Sequence, residues 1–196
     1  MEPYILGIFW AIGNYVPGEK VFILRHRDRY FLDAVKHAVG SHAAVRAQVS
    51  QRKYILKLGQ YCLNISSLKN AGWAERNSQE RPYPDINEHR SFIRGYFEIH
   101  GRVSRFRLRN KNGRVQIQHR LRIYGNEKFL LALNEILAFE LRVSERNLEP
   151  TSRPHSKVLS YYKKDEIIDI FEWIFDCPPT AKNQQIENKF RETLRR

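Results

Sequence analysis

The side chains with the most scope for chemistry lie at alternate positions of one short segment, residues 114–124. It reads Arg-Val-Gln-Ile-Gln-His-Arg-Leu-Arg-Ile-Tyr, so polar and apolar residues alternate with the period of a half-buried strand. One face of such a strand enters the core. The other presents forked donors and acceptors that match the edges of nucleic-acid bases. The candidate base-reading residues are Arg114, Gln116, Gln118, Arg120 and Arg122.

A second basic strand is predicted at residues 102–109, where Phe106 and Leu108 alternate with arginines. Residues 110–113 read Asn-Lys-Asn-Gly, which is a hairpin turn signal because Asn-Gly accepts positive φ. We therefore expect 102–124 to form one long antiparallel hairpin with a single basic face. A two-stranded ribbon of this kind fits the major groove of DNA. The additional candidates are Arg105, Arg107, Arg109 and Lys111.

The first half of the chain carries a weaker version of the same pattern. Polar and apolar residues alternate over 45–50, and two lysines flank Ile55 in the run 52–58. These stretches predict strands whose polar positions face the same ligand. The candidates here are Arg46, Gln48, Lys53 and Lys57.

The distribution of charge favours a polyanionic ligand. The 196 residues include 34 Lys and Arg against 21 Asp and Glu, a formal net charge of +13. There is no acid between Asp33 and Glu75, or between Glu98 and Glu127. Clustering of one sign is the electrostatic footprint of nucleic-acid binding, whereas an even spread would indicate only solubility.

Composition also limits the class of protein. No stretch approaches the ~20 apolar residues of a membrane span, and no basic segment precedes the apolar N-terminal run. Two cysteines, Cys62 and Cys177, are too few for a disulfide framework or a zinc site. We expect an intracellular protein with no membrane partner, located in the cytoplasm (with the nucleoid) or in an organelle.

Helical and strand signals repeat along the chain. Each half reads as helix, strands, helix, strands, helix, and the second half follows the first by about 88 residues. A polar stretch that contains prolines separates the halves. The expected organisation is an N-terminal half over 1–70, a linker over 71–88, a C-terminal half over 89–176 and a tail over 177–196.

The repeat is clearest in two apolar helices that each carry glycines six residues apart. Residues 5–13 read Ile-Leu-Gly-Ile-Phe-Trp-Ala-Ile-Gly, and residues 93–101 read Ile-Arg-Gly-Tyr-Phe-Glu-Ile-His-Gly. The first glycine of each pair lets two helix backbones approach, and the second ends its helix. Gly101 leads directly into the basic hairpin. Two such motifs in one chain resemble the LAGLIDADG homing endonucleases.

The resemblance implies an α+β fold of two αββαββα halves related by a pseudo-twofold axis. The motif helices would pack along this axis at Gly7, Gly13, Gly95 and Gly101, and two saddle-shaped antiparallel sheets would straddle double-stranded DNA. Only residues 15–20 separate Gly13 from the next strand signal, so we expect the first hairpin to be short or lost, and we expect stronger binding by the second half. Two fused halves complete the saddle, so a monomer is expected.

The sequence departs from the resembled family at the catalytic positions. Active members carry an acid immediately before the second glycine of each motif, and the two acids hold divalent metal near the scissile phosphates. Ile12 and His100 occupy these positions here. Ile12 has no ligand atom and His100 is a poor ligand for magnesium, so Glu98 or Glu2 could serve only in a relocated site. We expect no catalytic residues and no cofactor, with magnesium needed only if nuclease activity survives.

These observations favour a sequence-specific double-stranded DNA-binding protein with a regulatory role, on a LAGLIDADG scaffold that has lost catalysis. One alternative is an RNA-binding splicing cofactor similar to the intron maturases, with structured RNA as its partner. Others are a homing endonuclease with a relocated active site and a module that binds an acidic protein. Because duplex RNA hides its base edges in a narrow groove, a face rich in arginine and glutamine favours DNA.

Overall fold

Each half of the chain begins with an apolar helix that leads into a four-stranded antiparallel sheet. The computed structural model describes residues 1–60, 68, 70, 71, 73, 81–109, 112–176 and 184–195. Cys62, Lys111 and Cys177, part of the predicted linker and the start of the predicted tail lie outside the described residues.

The N-terminal half contains α1 (Pro3–Ile12), β1 (Asn14–Val16), β2 (Val21–His26), α2 (Arg29–Ala38), β3 (Val45–Gln48) and β4 (Lys53–Gly59). Its strands lie in the order β1-β2-β4-β3. Asp28 starts α2 because its side chain accepts hydrogen bonds from the N–H groups of Tyr30 and Phe31. β1 and β2 form the short first hairpin that the sequence predicts. β3 is shorter than the alternation suggests, since a single 3-10 turn at Val49–Gln51 ends it.

The C-terminal half contains α3 (His89–His100), β5 (Gly101–Arg109), β6 (Val115–Gly125), α4 (Glu127–Leu141), β7 (Glu149–Pro150), β8 (Lys157–Tyr161) and α5 (Lys164–Phe175). Its strands lie in the order β5-β6-β8-β7. Asn126 caps α4 by accepting a hydrogen bond of 2.9 Å from the N–H of Phe129. A final helix, α6 (Gln184–Arg195), inserts Phe190 between Phe97 and Phe175.

From the motif helix to the last strand of each sheet, the described residues of the two halves therefore share one order of helices and one order of strands. This confirms the duplicated α+β fold with two antiparallel sheets that the sequence predicts. A single cluster of buried apolar side chains includes residues from both halves. Within the described ranges, no helix combines the length and the hydrophobicity that a membrane span requires.

The helices α1 and α3 meet backbone to backbone at one glycine from each. A Cβ atom added to Gly7 would overlap the carbonyl oxygen of Phe92, and a Cβ atom added to Gly95 would overlap that of Tyr4. Tyr4 and Phe92 are equivalent positions of the two motifs, 88 residues apart. The contact is therefore reciprocal, as a pseudo-twofold axis between the helices requires, and the inferred role of the first glycine in each motif is confirmed.

The second glycine of each motif marks the change from helix to strand. The N–H groups of Gly13 and Gly101 bond to the carbonyl oxygens of Phe9 and Phe97, and both glycines then have extended backbones. A Cβ atom at either glycine would overlap a phenylalanine of its own helix. Each motif helix thus turns directly into the first strand of its sheet, which fixes the sheets relative to the helix pair.

Replacement of Gly7 with alanine is expected to destabilise the fold strongly. The new methyl group would push apart the two helix backbones that position both sheets, and overpacking of this kind costs about 1–3 kcal/mol or more. Urea denaturation would measure the loss in the free energy of unfolding. Gly18→Ala is the matched control, because nothing lies within 4 Å of a Cβ atom added at Gly18. Equal effects of the two substitutions would contradict the backbone contact.

Candidate nucleic-acid interface

One side of the second sheet carries the fully buried side chains of Leu121 and Ile123 and faces the core. We call the opposite side of β5, β6 and β8 the outer face. Cross-strand pairing aligns Ser104 with Arg120 and Phe106 with Gln118. Directly opposed residues of an antiparallel pair project on the same side of the sheet. The outer face therefore contains Arg102, Ser104, Phe106, Leu108, Gln116, Gln118, Arg120 and Arg122.

The arginines of β5 lie on the other side of the hairpin. Arg105, Arg107 and Arg109 are opposed to His119, Ile117 and Val115, which share the parity of buried Leu121. The prediction of one basic face is therefore wrong, and Phe106 and Leu108 occupy the outer positions of β5. The physical reason is that the tip of the hairpin extends past the core, where Ile117 is 49% exposed and Val115 60% exposed. Arginines on the inner side at the tip consequently remain in solvent.

Guanidinium groups lie over aromatic rings on this outer face. Arg102 and Arg122 are 5.8 and 5.5 Å from the ring centroid of Tyr124, and Arg120 is 5.2 Å from that of Phe106. Such cation–π contacts hold a planar guanidinium in a defined orientation without neutralising its charge. The arrangement therefore preorganises three arginines that lack an acidic neighbour along residues 99–126.

Several polar atoms of the outer face are buried without a partner in the part of the chain that the structure describes. These atoms are Nε of Arg120 and Arg122 and Oγ of Ser104 and Ser160, and Ser160 is opposed to Arg122 across β6 and β8. Buried polar groups are nearly always paired, so a cluster of unpaired ones indicates a place for ligand or water. The cluster lies at the centre of the predicted ligand face.

The first sheet has an equivalent outer face. Register pairs Arg46 with Ile55 and Gln48 with Lys53, and it pairs Lys57 with Ile23. Arg46, Gln48, Lys53 and Lys57 thus share one side, as the alternation predicts. This side is less basic than that of the second sheet, because Ile23 and Ile55 interrupt it and Lys57 forms an ion pair of 2.7 Å with Glu19.

Sequence reasoning missed several residues of the two outer faces, among them Arg102 and Leu108, which lie opposite Arg122 and Gln116. Arg25 is opposed to Ile55 and therefore joins the first outer face. In the sequence, Arg25 follows Val21 and Ile23 at every second position, so all three lie on the same side of β2. Ser104, Phe106 and Ser160 are short or apolar side chains, and no pattern in the sequence marks them as ligand-facing. Arg114, which was predicted, is exposed immediately before β6.

The end of α1 is capped by a buried arginine. Arg81, 2% exposed, donates hydrogen bonds to the carbonyl oxygens of Trp10 and Gly13, both at 2.7 Å, and to that of Phe9 at 3.3 Å. Its guanidinium lies 4.5 Å from the ring centroid of Trp73. The last carbonyls of a helix carry partial negative charge, so a fixed cation there stabilises the helix end.

His100 completes this cap from the second motif. Its Nε2 donates a hydrogen bond of 3.1 Å to the carbonyl oxygen of Ala11. Burial lowers the pKa of His100 and the charges of Arg102 and Arg153 lower it further, while the bond to Ala11 opposes the shift. His100 is therefore a neutral donor near pH 7, and its Nε2 is committed to the helix end.

The residues at the two family catalytic positions do not fit a divalent metal. Ile12 offers no ligand atom, His100 uses its Nε2 within the protein, and Arg81 places a positive charge on the neighbouring carbonyls. Among the described residues, no three His, Cys, Asp or Glu side chains converge as a metal site would need. The local charge at the end of α1 is already balanced by the protein itself.

Glu98, the alternative acid, is committed to the interface between the motif helices. It is 3% exposed, accepts a hydrogen bond of 2.6 Å from the hydroxyl of Tyr4 and pairs with Nε of Arg94 at 3.2 Å. Burial and the charge of Glu98 raise the pKa of Tyr4, so the tyrosine remains a donor at all ordinary pH values. Arg94 also reaches Glu187 of α6 at 3.5 Å. Glu98 is thus part of a buried network rather than of the outer faces.

Stability is expected to fall as the pH drops below about 6.5, the ordinary pKa of histidine. The pKa values of His26 and His100 are lowered in the folded state, so the unfolded chain binds protons more readily in this range. His100→Gln should reduce the slope of unfolding free energy against pH between 7.5 and 5.5, and His26→Gln should reduce it as well. Urea denaturation at several pH values measures the slope. An unchanged slope in His100→Gln would contradict the assignment.

No family model and no curated protein matches the sequence. Solved structures do match the fold across nearly the whole chain. The LAGLIDADG meganuclease I-AabMI, bound to uncleaved DNA, superposes with a TM-score of 0.70 at 9% identity, covering 100% of this chain and 91% of that one. I-LtrWI, bound to its target DNA, gives 0.67 at 13% identity, with 98% and 89% covered. I-SmaMI, bound to cleaved DNA, gives 0.63 at 12% identity, with 100% and 88% covered. The chain has the fold of the LAGLIDADG homing endonucleases.

Proposed function

We propose that this protein binds double-stranded DNA in a sequence-specific manner and acts as a regulator rather than as a nuclease. The observation that carries the proposal is the outer face of the second sheet. There, three arginines lie over aromatic rings, two of them have an Nε without a partner, and neither β5 nor β6 contains an acid. Such a surface is suited to bind a ligand that supplies both negative charge and hydrogen-bond acceptors.

The two sides of the β5–β6 hairpin have different roles in this proposal. Arg120, Arg122 and the two glutamines of β6 lie on the outer face, where forked side chains can read base edges. Arg105, Arg107 and Arg109 lie on the other side, and they are suited to phosphates beside the groove. Affinity would come mainly from phosphate contacts and specificity from the outer face.

Duplex DNA is a better fit than duplex RNA. The solved structures with this fold include I-AabMI, I-LtrWI and I-SmaMI with DNA. A two-stranded ribbon enters the wide major groove of B-form DNA, while the deep and narrow major groove of A-form RNA excludes it. Two sheets within one chain provide two such surfaces, so a monomer would be sufficient to contact both halves of a site.

Loss of cleavage would leave binding itself as the output. A protein that occupies a specific site without cutting it can control transcription, replication or a mobile element. The residues at the ends of α1 and α3 support this reading, because Arg81 and His100 satisfy carbonyls where metal chemistry would need acids.

Selection from randomised pools tests the proposal directly. Duplex DNA and structured RNA pools would be offered in parallel at near-physiological salt and without divalent metal. One long DNA motif, with its stronger half contacting 102–124, is the expected result. Enrichment of RNA instead would support the maturase-like alternative, and enrichment of neither would overturn specific nucleic-acid recognition.

Arg120→Gln and Arg107→Gln are expected to separate base reading from phosphate contact. The first removes an outer-face guanidinium, so it should cost about 1–3 kcal/mol of binding free energy and relax preference at one position. The second should weaken binding to all sequences alike and lower the slope of log K against log salt by about 1. Binding curves on the selected site and on single-base variants measure both. A specificity change in Arg107→Gln alone would contradict the assignment of base reading to the outer face.

Supercoiled plasmid that carries the selected site is expected to remain intact with magnesium or manganese. The physical reason is that Ile12 and His100 precede the second glycines and that, among the described residues, no group of three metal-ligating side chains converges. Gel electrophoresis after saturating the plasmid with protein measures nicking and linearisation. Linear or nicked product that disappears in His100→Ala would show a surviving nuclease, whereas product that persists in every variant would indicate contamination.

A further inference from the structure

A pocket of about 440 Å³ opens between the ends of the motif helices and the segment that joins β7 to β8. Trp10, Tyr96 and Phe129 line it and are largely buried. Arg102 and Tyr124 belong both to the pocket and to the outer side of the second sheet. The pocket is therefore continuous with the proposed DNA-binding surface, and its volume lies within the range of small-ligand sites.

The ionisable side chains of arginine and histidine that line this pocket come from three elements. Arg102 comes from β5, His100 from the end of α3, and Arg153 and His155 from the joining segment. No acid is present among the described residues of the lining. Arg102 and Arg153 therefore line the same pocket as His100, although they come from different elements. The pocket is suited to an anion.

The remaining walls are suited to a planar aromatic group. The half-buried rings of His100 and Tyr124 line the pocket, and the His100 ring lies 5.0 Å from the ring of Tyr96, which is itself in contact with Phe129. Thr151, Ser152 and Ser156 of the joining segment also line the pocket. A small inorganic anion would leave the aromatic walls unused, whereas a nucleotide combines a planar base, a polar sugar and a phosphate.

We propose that this pocket binds a nucleoside 5′-monophosphate unit, and that a bound DNA duplex supplies it by extruding one nucleotide from its stack. The source of the nucleotide rests on the DNA binding proposed above, but the affinity of the pocket for a nucleotide does not. α1 contributes Trp10 and Ala11 while the second half contributes the other walls, so the pocket lies where the halves meet. The extruded nucleotide is therefore expected near the centre of the DNA site. Contacts within the pocket would offset the loss of stacking.

The first experiment measures the pocket without duplex DNA. Titration calorimetry with the four deoxynucleoside 5′-monophosphates, the corresponding nucleosides and inorganic phosphate should show nucleotides binding more tightly than either part alone. Arg153 is exposed, and its side chain can be changed without disturbing the core. Arg153→Gln should weaken nucleotide binding about ten-fold or more, because it removes a charge-assisted contact. Lys164→Gln removes the same charge from an exposed position of α5 outside the pocket, and it should leave nucleotide affinity unchanged.

The second experiment asks whether the duplex supplies the nucleotide. 2-Aminopurine would replace one base at a time through the selected site, and fluorescence would be read at saturating protein. Extrusion unstacks the probe and should raise fluorescence several-fold at one central position. Arg153→Gln should reduce that rise at saturation, while Lys164→Gln should not.

The outcomes separate the two proposals. Nucleotide binding that depends on Arg153, together with a central fluorescence rise, supports the inference in full. Nucleotide binding without any rise on a saturated duplex would overturn extrusion and identify free mononucleotide as the source. If no duplex binds at all, the proposed function fails, while the calorimetry still tests the pocket. Equal binding of phosphate and nucleotide, or none of either, would overturn the pocket assignment.

Discussion

The backbone contact between α1 and α3 at Gly7 and Gly95 is the constraint on which the rest of the structure depends. Each helix carries its glycine against a carbonyl of the other, so the two axes approach more closely than any side chain would permit. Because Gly13 and Gly101 convert each helix directly into a strand, the helix pair also fixes where both sheets begin. The separation of the two outer faces therefore depends on glycine at both contact positions, because a side chain at Gly7 or Gly95 would push the helices apart.

The ends of the same helices show how this chain balances charge without metal. The partial negative charge at the end of α1 is met by Arg81, whose guanidinium reaches three carbonyls, and by His100, which reaches a fourth. A divalent cation and a buried guanidinium would compete for the same negative potential. The helix end that carries Ile12 is thus met by an internal cation, Arg81, and by the neutral donor His100.

The two outer faces differ in ways that bear on how each would bind. The second sheet extends a long hairpin beyond the core and has basic residues on both of its sides, so it can contact bases and flanking phosphates together. The first sheet has a short leading hairpin, apolar residues among its basic ones and a lysine paired with Glu19. An interface built from these faces is asymmetric, with the second half providing most of the charge.

Sequence alone determined the repeat, the two motif helices, the period-two strands and the turn that joins them, because each is a local pattern of side chains and backbone freedom. It also placed Ile12 and His100 immediately before the second glycine of each motif. The side of the hairpin on which the arginines of β5 lie was decided only by tertiary structure, since cross-strand register at the tip is set by pairing and not by burial. The sequence likewise indicated neither the role of Arg81 nor the pocket beside His100. They bring together residues from α1, α3 and two connecting segments that are far apart in sequence, and no local pattern encodes that proximity.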